Sequence, residues 1–199
     1  MSDDAERHRR RSIRLPGWDY AGAGAYFVTV CTHERLCLFG AVVDGEMRLN
    51  EWGEIVQEEW FRSADIRWEI VLHRDEFVVM PNHVHGIIWI VDDDTVVGAQ
   101  RRCAPTTTQR AVGGITPTNV IPGSLGAIVR SFKSAVTKRI NALRGVPGAP
   151  VWQRNYYEHI IRDEEELGHI HEYIRTNPAC WQTDENNPNL SSSQGVRQG

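Results

Sequence analysis

The sequence predicts a domain of the α+β class, in which helices pack against a sheet with antiparallel pairing. Two kinds of pattern alternate along the chain: β-branched and aromatic runs of strand length, and longer segments with apolar residues at helical spacing. Their order is strand, hairpin, helix, two strands, helix, strand and helix. Only Pro81-Asn82 separates the two central strands, so these strands are expected to be antiparallel neighbours.

The strand predictions rest on composition and on turn signals. The segment 25–32 is a β-branched and aromatic run, typical of a buried strand. The segment 38–50 is predicted to be a hairpin because Asp44-Gly45 is a favoured turn pair. The segments 68–80 and 84–91 flank the Pro81-Asn82 break, and 151–162 has strand character towards its end.

Three helices are predicted from apolar spacing and from capping residues. The first runs from Glu51 to about residue 62, with Asn50 as its N-cap. The second, 124–143, has the clearest apolar stripe. The third begins after Asp163, an N-cap followed three residues later by Glu166, and Pro178 ends it.

The length of 199 residues is enough for one domain with a real core. We expect a basic flexible arm over 1–15, a single domain over 16–182, and a disordered tail over 183–199. The stretch 92–122 is rich in Thr, Gly, Pro and Arg. It is expected to be a flexible loop, either a flap that responds to substrate or a tolerated insertion. The chain shows no signal peptide and no apolar stretch of membrane-spanning length, and its four cysteines form no CxxC pair, so a cytoplasmic protein without a membrane partner is expected.

The formal net charge of −4 does not by itself indicate a nucleic-acid partner. The basic residues are nevertheless clustered, at the N-terminus and on the second predicted helix. The candidates for contact with the phosphates of a nucleic-acid backbone are Arg9, Arg10, Arg11, Arg14, Arg130, Lys133 and Lys138. A solvated surface of mixed charge remains the alternative.

A His-Val-His triplet opens the second central strand. Side chains alternate between the two faces of a strand, so His83 and His85 are predicted to project from one face. Two imidazoles placed in this way can bind one metal ion. The alternative is a pair of structural histidines without a metal.

Tyr173 and Asn177 are four residues apart on the last helix and therefore share a face. Each alone has an ordinary explanation, as a half-buried aromatic residue and as a C-cap. Two imidazoles with one amide oxygen would suit a hard divalent ion used as a Lewis acid on a phosphodiester. A tyrosine one turn away would then be placed to attack the phosphorus.

Three segments together resemble one family. They are Pro81-Asn82-His83-Val84-His85, the Trp-Gln-Arg-containing run 151–163, and Glu172-Tyr173-Ile174-Arg175-Thr176-Asn177-Pro178. In this order they resemble the single-tyrosine (Y1) HUH transposases related to IS200/IS605, and more closely the REP-associated tyrosine transposases. The resemblance runs from about Gly22 to Trp181, and the loop 92–122 is its least similar part.

The resemblance implies a ferredoxin-like, HUH-type fold. It makes His83 and His85 the ligands of Mg²⁺ or Mn²⁺ and Tyr173 the nucleophile. Asn177 would be the third ligand, where the insertion-sequence members usually carry Gln, and Tyr156 and Tyr157 would not be nucleophiles.

The implied activity is cutting and rejoining of single-stranded DNA near hairpins through a 5′-phosphotyrosine, by a monomer or a homodimer. A non-catalytic protein of the same fold that binds single-stranded or hairpin DNA is the first alternative. A nuclease that uses water is the second.

Overall fold

The computed structural model describes residues 20, 22–92, 122–188 and 190. The seven strands are β1 (Gly24–Cys31), β2 (Gly40–Val43), β3 (Glu46–Leu49), β4 (Ile70–Val71), β5 (Phe77–Val79), β6 (His83–Ile90) and β7 (Tyr157–Ile161). The three α-helices are α1 (Glu51–Ile66), α2 (Leu125–Arg144) and α3 (Glu164–Thr176). The predicted α+β class is confirmed.

The main sheet has the strand order β4-β6-β1-β7, and β5 pairs with β6 beside β4. All of these pairings are antiparallel. Helix α1 connects β1 to the β4–β5 side of the sheet, and α2 connects β6 to β7. This is the β-α-β-β-α-β order of a ferredoxin-like fold. The hairpin of β2 and β3 forms a separate two-stranded sheet, and Asp44 and Gly45 turn it with positive φ angles.

The two faces of the main sheet carry different helices. Helices α1 and α2 cover one face, where Trp60, Phe132 and Ile88 belong to the larger apolar core. Helix α3 covers the other face, where Ile174 packs with Phe27 and Ile87 in a smaller core. Odd-numbered residues of β6 face α3, because side chains alternate along a strand.

The predicted helix caps are present. The Asn50 side chain accepts hydrogen bonds from the backbone N–H groups of Trp52 and Gly53, both at 3.0 Å. Asp163 Oδ1 accepts from the N–H of Glu166 at 2.8 Å, which begins the helix that carries Tyr173. Satisfied N-terminal donors fix where a helix begins.

Two segments differ from the sequence predictions, and two others lie outside the residues that the structure describes. The predicted strand 68–80 is two short strands with a 3₁₀ helix at Arg74–Glu76 between them. Residues 183–188 fall within the predicted tail but fold back onto the sheet, since Asn186 and Asn187 are buried and hydrogen-bonded. The arm with Arg9, Arg10, Arg11 and Arg14, and loop residues 93–121, lie outside the described residues. None of the helices in the described part of the chain has the length and apolar character of a membrane span.

Candidate active site

The histidine pair lies at the start of β6, on the face that α3 covers. In the β1–β6 pairing, His83 is opposite Cys31 and His85 is opposite Thr29. Both imidazoles are buried, and their Nε2 atoms are only 2.9 Å apart. The prediction that the two side chains share one face is confirmed, and their rings converge on one point.

The surrounding hydrogen bonds define how the His83 ring is protonated. Asn82 Nδ2 donates to the carbonyls of Arg35 and Asn186, so Asn82 Oδ1 is left to accept from His83 Nδ1 at 2.8 Å. His83 Nε2 is therefore the lone-pair atom. Burial lowers the pKa of His83 to about 4, against the opposing effect of Asp184. Burial, followed by repulsion from His83, lowers the pKa of His85 well below its usual value. Both rings are neutral at pH 7, the form in which imidazole binds metals.

Tyr173 reaches the same point from α3. Its phenol oxygen lies 3.2 Å from His85 Nε2, and its ring packs edge-on against His85 and Phe27. The side chain is thus anchored at its hydroxyl, and the residue is still 44% exposed. Burial and the nearby charge of Asp184 raise the pKa of Tyr173 to about 12, whereas a hydrogen bond with Asn177 lowers it.

Asn177 lies one turn beyond Tyr173 and is 2% exposed. The N–H of its side-chain amide donates a hydrogen bond to Tyr173, and this bond does not use the amide oxygen. Among the described residues that oxygen has no hydrogen-bond partner. A buried amide acceptor without a partner costs free energy, so a cation at this position would satisfy it.

The structure adds a buried carboxylate that the sequence analysis missed. Asp184 Oδ2 lies 3.9 Å from His83 Nε2, and Asp184 Oδ1 accepts from the backbone N–H of Asn186 at 2.6 Å. The ligand atoms of His83, His85 and Asp184 all lie within 4.8 Å of one another. Asp184 stands in a run of Thr, Asp, Glu and Asn residues without periodicity, so no pattern in the sequence singles it out.

These residues are chemically suited to a divalent ion. Neighbouring ligands of an octahedral ion with bonds of about 2.1 Å are about 3 Å apart, and the two Nε2 atoms have that spacing. The donor set is two neutral nitrogens and a carboxylate, with the amide oxygen of Asn177 one helical turn from Tyr173. Mixed nitrogen and oxygen donors with a carboxylate suit Mn²⁺ and, with more oxygen ligands, Mg²⁺.

Two further tyrosines lie nearby. Tyr157, on β7, is 48% exposed and its ring lies 6.4 Å from Phe27, on the face that α3 covers. Tyr156 packs against the larger core on the α2 side. No contact of either phenol oxygen with His83 or His85 is found in the described structure, in contrast to Tyr173.

Helix α3 is fixed to the sheet by a buried carboxylate. Glu76 Oε1 accepts from His171 Nε2 at 2.9 Å, and Glu76 Oε2 accepts from Trp89 Nε1 at 2.6 Å. Near the start of the helix, Glu166 pairs with His159 of β7. These contacts join the helix of Tyr173 to the strands that carry the histidines.

The basic residues predicted on α2 lie on the opposite side of the sheet from Tyr173. Arg130 and Lys138 are exposed, and Lys133 is partly buried. Lys133 Nζ donates to the carbonyls of Gln153 at 2.5 Å and Arg154 at 3.2 Å. All three line one groove beside the segment 147–156.

Comparison with known proteins finds similarity both in sequence and in structure. An uncharacterised protein of Haemophilus influenzae is 40% identical over 178 residues, which are 89% of this chain and 93% of the relative. The structure of a REP-associated tyrosine transposase bound to a REP hairpin aligns with a TM-score of 0.50 and 16% identity, over 88% of this chain and 83% of that one. No protein-family model matches the chain.

The chain has the fold of the REP-associated tyrosine transposases. It belongs to the same family as the Haemophilus influenzae protein, given the identity and the coverage of both chains. A presumed transposase from Deinococcus radiodurans aligns over 81% of this chain and 94% of that one, with 18% identity. Its TM-score of 0.37 is too low to add support. The transposase fold agrees with the resemblance found in the sequence, and it places the His-Val-His strand beneath the helix of Tyr173.

Proposed function

We propose that this protein is a transposase that cuts and rejoins single-stranded DNA near hairpin sequences through a 5′-phosphotyrosine, with Mg²⁺ or Mn²⁺. The observation that carries the proposal is the position of the Tyr173 hydroxyl, 3.2 Å from a converging pair of neutral histidines. The solved transposase of the same fold was bound to a REP hairpin, which supports hairpin DNA as the partner.

The metal ligands in this proposal are His83, His85, Asn177 and Asp184. A bound divalent ion would polarise the scissile phosphate as a Lewis acid. The chain's own contribution is rigidity, because Asn82 and Thr29 orient the two imidazoles through their Nδ1 atoms at 2.8 Å. Such second contacts hold ligands in the binding orientation before the ion arrives.

Tyr173 acts as the nucleophile. Its oxygen forms a bond to phosphorus, the bond from phosphorus to the 3′ oxygen breaks, and the released strand leaves as a 3′-hydroxyl. With a pKa of about 12, the phenol keeps its proton at neutral pH and loses it during attack. The hydrogen bond from the Asn177 amide stabilises the phenolate. Attack by a different 3′-hydroxyl reverses the step and joins new strands without ATP.

The test is a covalent-adduct assay on a denaturing gel. Hairpin DNA with a single-stranded flank is incubated with the protein and Mn²⁺ or Mg²⁺. We expect a shifted band that disappears on chelation and in Tyr173→Phe, and that persists in Tyr157→Phe and Tyr156→Phe. An adduct that survives Tyr173→Phe would move the nucleophile elsewhere. Tight binding without an adduct under any metal would favour the non-catalytic alternative, and cleavage without an adduct would indicate a nuclease that uses water.

A further inference from the structure

A groove of about 1010 Å³ lies between α2 and the segment 147–156, on the side of the sheet away from Tyr173. Its described lining contains four cationic residues and no Asp or Glu. The cationic residues are Arg130, Lys133, Lys138 and Arg154. For a chain with a formal net charge of −4, this is a strong local segregation of charge.

Within the described ranges, acidic neighbours do not neutralise the positive charge of the groove. On the adjacent face of the same helix, Arg139 is paired with Glu58 at 2.6 Å and with Glu59 at 2.9 Å. Arg130, Lys138 and Arg154 form no ion pair with any residue of the described ranges, and all three are exposed. Helix α2 thus has one neutralised face and one cationic face, and the cationic face lines the groove.

The groove wall is largely apolar. Val129, Val151 and Trp152 contribute to the lining, and Trp152 is 7% exposed. An apolar wall with cationic edges suits a ligand that carries both a flat ring and a phosphate. A nucleotide has both features.

The groove wall is close along the backbone to the strand end that carries His83. Trp152 forms a bridge with Thr32, and the Thr32 N–H donates to the carbonyl of Asn82 at 2.8 Å. Trp152 is therefore two strand spacings, each about 4.8 Å, from the residue that precedes His83. A single strand passing around this edge of the sheet would join the groove to the site.

The groove is also held open by the protein itself. The two hydrogen bonds of the Lys133 ammonium tie α2 to the carbonyls of residues 153 and 154. Gln153 N–H in turn donates to the Cys31 carbonyl of β1 at 2.9 Å. A preformed groove binds without first ordering its walls, which costs less free energy.

We propose that this groove binds unpaired nucleotides of the DNA strand that flanks the scissile phosphate, and so extends substrate recognition beyond the catalytic face. The inference rests on the proposed function for its substrate. The phosphates lie against the four cationic residues of the groove, Lys133 included, and a base lies against its apolar wall. The chain's own undescribed segments do not complement this charge: residues 93–121, for example, hold two aspartates and three arginines.

The experiment blocks the groove with a bulky side chain, introduced at an exposed position of α2. Ser134 lines the groove and Ser131 does not, although both are exposed serines on the same helix. Affinity is measured by fluorescence anisotropy for one hairpin carrying single-stranded flanks of increasing length. In the wild type and in Ser131→Trp, we expect affinity to rise at least about tenfold once the flank enters the groove. In Ser134→Trp that gain should be lost.

A second variant tests the charge without filling the space. For single-stranded DNA, the slope of log K against log salt concentration (the salt slope) decreases in magnitude by about 0.7 for each phosphate contact that is removed. Arg130→Gln combined with Lys138→Gln should therefore lower the salt slope by about 1.4 for long flanks, and leave the slope for the hairpin without a flank unchanged.

Three results would overturn the inference. The first is equal affinity of the wild type for short and long flanks, and the second is a full flank gain in Ser134→Trp. The third is displacement of the flank by polyglutamate as efficiently as by an oligonucleotide of the same charge, since the groove would then be a general anion surface. The proposed function is judged separately, by whether the wild type forms an adduct.

Discussion

The phenol oxygen of Tyr173 lies 3.2 Å from Nε2 of His85, although the two residues are 88 positions apart in one chain. The helix that carries the proposed nucleophile therefore docks on the sheet that carries the histidines.

This relationship predicts that Tyr173→Phe abolishes adduct formation while the fold persists. Loss of a nucleophile typically costs at least about a thousandfold in rate. The phenyl ring still packs on Phe27 and His85, so the melting temperature should change little. The measurement is the initial rate of adduct formation beside a thermal melt. Tyr157→Phe is the matched control, because its ring also lies beside Phe27. A rate loss in Tyr157→Phe equal to that in Tyr173→Phe would contradict the assignment.

The four proposed metal ligands make a second prediction, which needs no DNA. A ligand that binds only the folded state raises its stability, so Mn²⁺ should raise the melting temperature of the wild type. His83→Ala, His85→Ala and Asp184→Asn should each weaken Mn²⁺ binding at least about tenfold, and Asn177→Leu should also weaken it. Mn²⁺ affinity is read by electron paramagnetic resonance. His73→Ala, an exposed histidine elsewhere, should bind as the wild type does. Undiminished affinity in Asn177→Leu would remove Asn177 from the ligand set.

The contact between Glu76 and His171 predicts a positioning role. In His171→Ala, the buried Glu76 carboxylate loses one of its two hydrogen-bond donors, which should lower the free energy of unfolding by about 1–3 kcal/mol. Because His171 lies two residues before Tyr173, adduct formation should slow more than DNA binding weakens. His171→Gln, which retains a donor, should recover part of the loss. The exposed His169 is the control, and His169→Ala should change stability by less than about 0.5 kcal/mol. Equal effects of His169→Ala and His171→Ala on the adduct rate would refute the role.

Local patterns explain what could be predicted from the sequence. The shared face of His83 and His85 follows from strand alternation, and the shared face of Tyr173 and Asn177 follows from helix periodicity. Each depends on residues within one element. The fold class follows similarly from the order of elements with clear periodicity.

Contacts between distant polar residues could not be predicted in this way. Asp184 reaches His83 because a polar segment without periodicity folds back, and Asn82 holds that segment through the carbonyl of Asn186. On α2, the sequence gives the charge of each residue but not its partner. Only the structure shows that Arg139 is neutralised by glutamates of α1 while Arg130 remains available.

Two glycines predict opposite changes in stability. Gly86 belongs to the histidine strand β6, on the side that faces the larger core. A Cβ at this position would lie 2.5 Å from Trp60 Cζ2 and 3.0 Å from Phe77 Cδ2, closer than packed atoms tolerate. Gly86→Ala should therefore destabilise the protein by about 1–3 kcal/mol. Gly168, on α3, has no atom within 4 Å of such a Cβ, so Gly168→Ala should stabilise it by about 0.5–1 kcal/mol. Urea denaturation measures both. Two changes of the same sign would contradict the packing argument.

The ammonium of Lys133 makes DNA binding in the α2 groove dependent on pH. Burial lowers the pKa of Lys133 to about 8, so the side chain loses its charge as the pH rises from 7 to 9. The Cys31 thiol interacts with the Lys133 ammonium, and burial raises the pKa of that thiol. The salt slope for long-flank DNA should therefore fall by about 0.7 across this range.

The expected loss of DNA affinity at high pH would not come from unfolding of the protein driven by the titration of Lys133. The folded pKa lies below the unfolded value of 10.5, so this group makes the folded state more stable as the pH rises above 8. Lys133→Arg keeps its charge throughout and should show a constant salt slope from pH 7 to 9. The measurement is anisotropy at several salt concentrations at each pH. If the slope of the wild type were as constant as that of Lys133→Arg, Lys133 would have no part in binding the strand.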